Sequence, residues 1–213
     1  IRVITLWLAN GACEPLLNAV VKGLLEEGRL PLGSIIDAGA NTGTEACYYA
    51  SLDSSRIVHA VDPLLHNVEA VRRRAWQLPN VKPLLGGFGA ERKVLRTPEA
   101  KNLRAGQQIS IASTAPGQSP LGGVPRDFVA AAHVDNHTQG KSFNVWSVDE
   151  LFDTLWRRER LGFAHWDTEG NELDILRGAE RTLQRDMPVF TVECIVHKQP
   201  SCEIGEFTLI LCR

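Results

Sequence analysis

Apolar residues recur along this chain in two rhythms, and their alternation predicts an α/β fold. Leu16, Leu17, Val20, Val21, Leu24 and Leu25 fall at one-and-four spacing between Pro15 and Gly28, which describes an amphipathic helix. Ser34-Ile-Ile-Asp-Ala then forms a short aliphatic run that collapses into Gly39, Asn41 and Gly43. Such a run reads as a strand buried on both faces, as in a parallel sheet. Strand-like runs return at Arg56–Asp62, Val81–Leu85, Phe163–Asp167 and Pro188–Cys194, with helical patterns at Thr44–Ala50, His66–Trp76 and Glu172–Leu183. Ser147-x-x-Glu150 is a capping box that opens one more helix, through Trp156. Strands and helices in alternation imply right-handed crossovers and a mostly parallel sheet, so the expected architecture is a three-layer α/β sandwich.

Candidate chemistry gathers where the first of these strands ends. Glycines after a buried strand let the backbone approach a ligand with no Cβ in the way. Asp62 ends the next strand at about the distance, roughly 20 residues, at which an acid holds a ribose diol. Gly39-x-x-x-Gly43 is not the G-x-G-x-x-G spacing that grips a pyrophosphate, and no Gly-Lys-Ser/Thr follows. A nucleoside cofactor without phosphates fits better, and S-adenosylmethionine is the candidate. Asp37 and the turn residues Gly39, Ala40, Asn41 and Gly43 would then face its amino-acid end and Asp62 its ribose. An ordinary strand-to-helix turn would carry the same glycines.

Phe163-Ala-His-Trp-Asp-Thr-Glu-Gly-Asn-Glu-Leu-Asp-Ile-Leu-Arg-Gly-Ala179 resembles the signature of FkbM-type methyltransferases, a strand ending in Asp-x-Glu-Gly followed by an acid and a Leu-x-Gly-Ala helix. Asp37-Ala-Gly-Ala-Asn-Thr-Gly43, Val61-Asp-Pro63, Ser147-Val-Asp-Glu-Leu151 and Pro188-Val-Phe-Thr-Val-Glu193 follow the family's order, so the resemblance covers roughly Ser34 to Glu193. It implies a class I, Rossmann-like fold that uses S-adenosylmethionine, usually to methylate a hydroxyl oxygen on a sugar or other small metabolite. Two features depart from the family: His165 stands where Lys is common, and less chain follows the fifth strand.

Length and composition suit one domain. With 213 residues, 44% of them apolar and 23% charged, the chain can bury one large core. Within it, residues 1–30 form an N-terminal segment and helix, 34–93 a cofactor-binding half, 94–143 a loop-rich lid or substrate segment, and 144–213 a C-terminal half. A formal net charge of -2 argues against a nucleic-acid partner, and Arg72-Arg-Arg74 and Arg157-Arg-Glu-Arg160 read as solvated helix faces. Five cysteines without a C-x-x-C pair suggest buried thiols in a reducing compartment. No apolar run reaches the roughly 18 residues of a membrane span. The chain starts Ile1-Arg-Val-Ile-Thr-Leu-Trp-Leu8 without Met, as a processed product, an excised piece or a fragment would; this run is expected as an extra strand or packed segment, or as the remnant of a targeting peptide. Between Val94 and Phe143, prolines and glycines predict loops with one short helix near Phe128–Ala132.

Four residues are candidates for the methyl-acceptor end. Asp167 and Glu169 lie two apart at a strand end, pointing the same way if the strand persists, and Glu193 ends the neighbouring strand. Three acids there could orient an acceptor hydroxyl or hold magnesium. Glu169 could equally cap a turn, and Glu172 reads as a first-turn helix acid. His165 has the pKa of a general base, but a strand histidine hydrogen-bonded in the core fits the pattern as well. His133 and His137, at one-and-four spacing, would suit zinc on a helix, although their neighbours suggest loop. Two functions follow: an S-adenosylmethionine-dependent O-methyltransferase, or a methyltransferase-like fold serving as a non-catalytic subunit with a protein assembly partner.

Overall fold

The computed structural model describes residues 2–7, 13–96, 109–112, 128–132, 142–168, 171–195 and 205–211. In chain order the elements are β1 (Arg2–Trp7), α1 (Cys13–Glu26), β2 (Ser34–Ala38), α2 (Thr44–Leu52), β3 (Val58–Asp62), α3 (Leu65–Arg74), β4 (Val81–Leu85), β5 (Gly87–Phe88) and β6 (Lys93–Arg96). There follow β7 (Ile109–Ala112), β8 (Phe128–Ala132), β9 (Ser142–Trp146), α4 (Val148–Asp153), β10 (Leu161–Trp166), α5 (Glu172–Arg177), α6 (Glu180–Asp186), β11 (Val189–Ile195) and β12 (Gly205–Leu211).

The main sheet has the order β1-β12-β11-β10-β2-β3-β4. Its five strands from β11 to β4 are parallel, and β12 enters antiparallel between β11 and β1. β2 and β3 are buried at every position, which is why they read as short, largely apolar runs. The chain travels outward from β2 through β3 to β4, then returns to the other side of β2 with β10 and β11. The border between β2 and β10 is therefore the topological switch point, where open α/β sheets bind ligands.

Register decides which face each residue serves. On one face Ile35, Val58, Phe163 and Val189 pack with Leu17, Val21 and Tyr49 from α1 and α2 and with Val71 from α3. On the other, Ile36, Ala38, Val61, Trp166 and Phe190 pack with Phe152 from α4, Trp156 just after it and Ile175 from α5. These two apolar layers make the three-layer sandwich.

Four expectations need correction. Phe128–Ala132 is a strand paired with β7, not a helix, because a short apolar run takes whichever structure its neighbour completes. The helix expected over Glu172–Leu183 breaks in two at Gly178, where a Cβ would come within 2.1 Å of the Gly89 carbonyl oxygen. Asp149 then caps the second piece, accepting from the Arg181 and Thr182 amides at 3.0 and 2.8 Å. The capping box is present, with Ser147 Oγ accepting from the Glu150 amide at 3.1 Å, but α4 stops at Asp153 rather than Trp156. β10 ends at Trp166, so Asp167 lies past the strand and the same-side argument for Asp167 and Glu169 lapses. His133 and His137 lie outside the described residues, as does Glu169; Glu193 belongs to β11, but its side chain is not described.

Candidate functional site

At the carboxyl ends of the parallel strands lies a small cleft open to solvent. Ala38 and Gly39 after β2, Val61 and Pro63 after β3, Gly86, Gly87 and Phe88 after β4, and Thr168 and Asn171 after β10 line it. Gly86 is required here because the Trp146 ring and the Asn144 carbonyl fill the space a Cβ would take.

The turn after β2 is built by its own hydrogen bonds. The Gly39 and Ala40 amides both donate to the Val61 carbonyl, at 3.0 and 3.1 Å, and the Asn41 amide donates to Asp62 Oδ2 at 2.9 Å. Three of the amides expected to face a ligand are thus spent inside the protein. Gly39 and Gly43 are also needed for a reason other than ligand access. Both have left-handed backbone, φ +82 and +80; a Cβ on Gly39 would lie 1.8 Å from the Asp167 carbonyl oxygen, and one on Gly43 would lie 3.0 Å from a Val71 methyl. Gly39 lines the cleft as well as packing the turn onto the segment after β10.

Asp37 and Asp62 are both buried acids. Asp37 is 1% exposed and its Oδ2 has no hydrogen-bond partner. Burial first, then the charges of Glu45 and Asp167, hold its carboxyl well above the usual carboxylate range, against a backbone bond from Ala46. Asp62 is 4% exposed, with Oδ1 accepting from the Leu64 amide at 2.8 Å and Asn67 Nδ2 at 3.1 Å. Burial raises its pKa to about 6, in spite of those donors. Its carboxylate thus ties together the turn after β2 and the start of α3, between the lining residues Val61 and Pro63.

The residues expected at the acceptor end separate. Asp167 is half-buried, its amide donating to the Ala38 carbonyl at 3.0 Å, so it sits beside Asp37 at the switch point. His165 is 2% exposed, on the face covered by α2, with Nδ1 2.8 Å from Thr191 Oγ1 and its ring edge-on to Tyr49. Burial pushes its imidazole below the ordinary value, against the pull of Asp167. It does not line the cleft. Glu172 is buried and accepts from both the Thr168 amide and its hydroxyl, at 3.0 and 2.9 Å, which is the first-turn role its position predicts. Among the described residues no cluster of three His, Cys, Asp or Glu could hold a metal ion, and magnesium gains no support. No helix of the described residues is long and apolar enough to cross a membrane.

Sequence reasoning passed over Asn171. It is buried in the cleft wall and its Nδ2 donates to the Phe88 carbonyl at 2.6 Å. The available signal was its place in Glu-Gly-Asn-Glu, directly before a helix, which reads as a cap and hides any other use.

These residues suit S-adenosylmethionine: the turn is short of amides for a phosphate, the lining carries no basic side chain, and buried acids stand beside it. A crystal structure of the methyltransferase FkbM from Methylobacillus flagellatus KT is similar with a TM-score of 0.46 and 15% identity, over 83% of this chain and 43% of that one. The chain thus spans less than half of that protein's length. An rRNA methylase from Streptococcus thermophilus is similar with a TM-score of 0.45 and 11% identity, over 91% of this chain and 95% of that one. No curated protein matches. The sequence profile of the methyltransferase FkbM domain matches residues 37–209, from Asp37 in β2 into β12. The chain therefore belongs to the FkbM methyltransferase domain family, which implies use of S-adenosylmethionine.

Proposed function

We propose that the chain transfers a methyl group from S-adenosylmethionine to a hydroxyl oxygen of a small molecule or sugar. The observation that carries the reading is the charge pattern at the switch point. The charges of Glu45, Asp167 and Asp62 all bear on Asp37 there, the cleft lining holds no Lys or Arg, and Asp37 keeps an oxygen without a partner. Such a site is short of positive charge, and the donor supplies it through its sulfonium and ammonium groups. A cofactor with a pyrophosphate would instead need amides or basic side chains that the turn does not offer.

Within this reading Asp62 holds the ribose, with the one lone pair of Oδ2 that chain donors leave over, and Asp37 with the turn Gly39–Gly43 encloses the amino-acid end. Asp167 faces the acceptor, which it orients by accepting its hydroxyl proton or a hydrogen bond from it. Methyl transfer needs the acceptor oxygen in line with the sulfonium carbon at near contact, so positioning carries much of the rate. The test is transfer of isotopically labelled methyl to a panel of sugars and hydroxyl-bearing metabolites, with RNA as a separate arm. Asp167→Asn should slow transfer about a hundredfold and leave donor affinity within about threefold. Transfer at the parental rate contradicts the assignment.

Two observations favour the non-catalytic subunit instead: His165, the candidate base, is in the core, and the carboxylate of Asp62 already receives three donors from the chain. Donor binding without transfer to any acceptor, RNA included, selects that reading.

A further inference from the structure

Asn171 holds a position that ordinary helix capping does not explain. It is the N-cap residue of α5, where an asparagine usually accepts a hydrogen bond from the first turn. Here the side chain makes no capping bond and turns to the cleft wall, with Nδ2 2.6 Å from the Phe88 carbonyl oxygen. A carbonyl only accepts, so the group facing Phe88 is the amide nitrogen and the orientation of the side chain is fixed. Oδ1 is left without a donor among the described residues, and one N–H of Nδ2 remains as well.

The rest of the lining sharpens the point. Ala38, Gly39, Val61, Pro63, Gly86, Gly87 and Phe88 bring no polar side-chain atom, and the Thr168 hydroxyl is donated to Glu172. The Thr168 oxygen can still accept, but among the described residues that line the cleft Asn171 is the side chain with both an acceptor and a donor to spare. An apolar slot with one oriented polar group is how proteins recognise a flat heteroaromatic ring, the walls burying the faces and the polar group reading the edge. Asparagine carries an acceptor and a donor side by side, the complement of the adenine edge with its exocyclic amine and ring nitrogen.

We propose that Asn171 is a specificity residue for the purine of the donor: Oδ1 accepts from the exocyclic amine of adenine, and the bond to the Phe88 carbonyl holds it in that orientation. This rests on the reading of the cleft as the S-adenosylmethionine site. A base with oxygen in place of the amine would set two acceptors against each other, because the Phe88 contact prevents the amide from turning over.

Calorimetric titration with S-adenosylhomocysteine and S-inosylhomocysteine tests it, since the two differ at the purine edge. The parent protein should prefer the adenosyl compound by about 30-fold, within the range set by leaving one buried polar group unpaired. Asn171→Ala should bring the ratio near one through weaker adenosyl binding. Asn171→Ser should do the same while restoring a good cap to α5, so that loss of preference is separated from loss of fold. Equal binding of both compounds by the parent overturns the proposal and leaves the cofactor assignment standing, and so does an undiminished preference in the two variants. Failure of the parent to bind S-adenosylhomocysteine at all overturns both.

Discussion

Gly39→Ala should damage the fold before it touches ligand binding. The added methyl would sit 1.8 Å from the Asp167 carbonyl oxygen and 2.9 Å from its carbon, while φ is +82. Neither partner can yield cheaply, because both are backbone. The Gly39 amide is bonded to Val61 on one side, and the Asp167 amide to Ala38 on the other. Left-handed backbone costs a non-glycine residue about 1 to 2 kcal/mol, and forcing buried groups apart by roughly 1 Å adds about 2 to 3 kcal/mol more. A total near 3 to 5 kcal/mol is a large part of the roughly 5 to 15 kcal/mol that holds a domain together. It corresponds to a fall in Tm of about 6 to 20 °C for a chain of this size. Gly43→Ala provides the internal comparison. It carries the same φ penalty, but its methyl would meet the side chain of Val71 at 3.0 Å, which can shift, so the loss should stay near 1 to 2 kcal/mol. Urea denaturation of the three proteins measures both. A Gly39→Ala protein within about 1 kcal/mol of the parent, or no more affected than Gly43→Ala, refutes the reasoning.

Two further predictions follow from the buried ionisable groups. Asp62 titrates at about 6 in the fold against an ordinary value of 3.8, so the folded state holds its proton more tightly and its share of stability, about 3 kcal/mol, is present below pH 4 and lost as pH rises through 6. The ribose-binding form is the carboxylate, so donor affinity should fall about tenfold between pH 7 and pH 5; calorimetry at pH 5, 6 and 7 checks it, and a flat profile contradicts the assignment. His165→Ala should cost about 1 to 3 kcal/mol of stability, from the lost Thr191 contact and the space left beneath α2, and change the rate of methyl transfer only slightly; a drop of a hundredfold or more in a folded variant would restore the histidine as the base.

Much of the scaffold is legible in the chain, and the reason is local. β2 begins at Ser34 as expected, because a parallel strand buried on both faces announces itself as a short aliphatic run, and β4, the partly exposed edge strand, also falls on Val81–Leu85. Asp37 and Asp62 could be placed at strand ends for the same reason. Partnerships made across distance were not legible. That the Gly39, Ala40 and Asn41 amides are consumed by Val61 and Asp62, or that Gly39 is held by the Asp167 carbonyl, depends on how three strands end side by side. Antiparallel pairing of β12 with both β11 and β1 leaves no periodic mark that distinguishes it from other strands. Asn171 shows the limit from the other side: its sequence position fits a helix cap so well that only the bond to Phe88 reveals another use.

The central claim is that the cleft between the ends of β2, β3, β4 and β10 receives S-adenosylmethionine. Titration of the protein with S-adenosylhomocysteine at pH 7, with NAD titrated in parallel, tests it most directly. The account predicts saturable binding of S-adenosylhomocysteine to one site per chain, with a raised Tm in its presence and no heat from NAD. Absence of both heat and thermal shift with S-adenosylhomocysteine, or tighter binding of NAD, contradicts it.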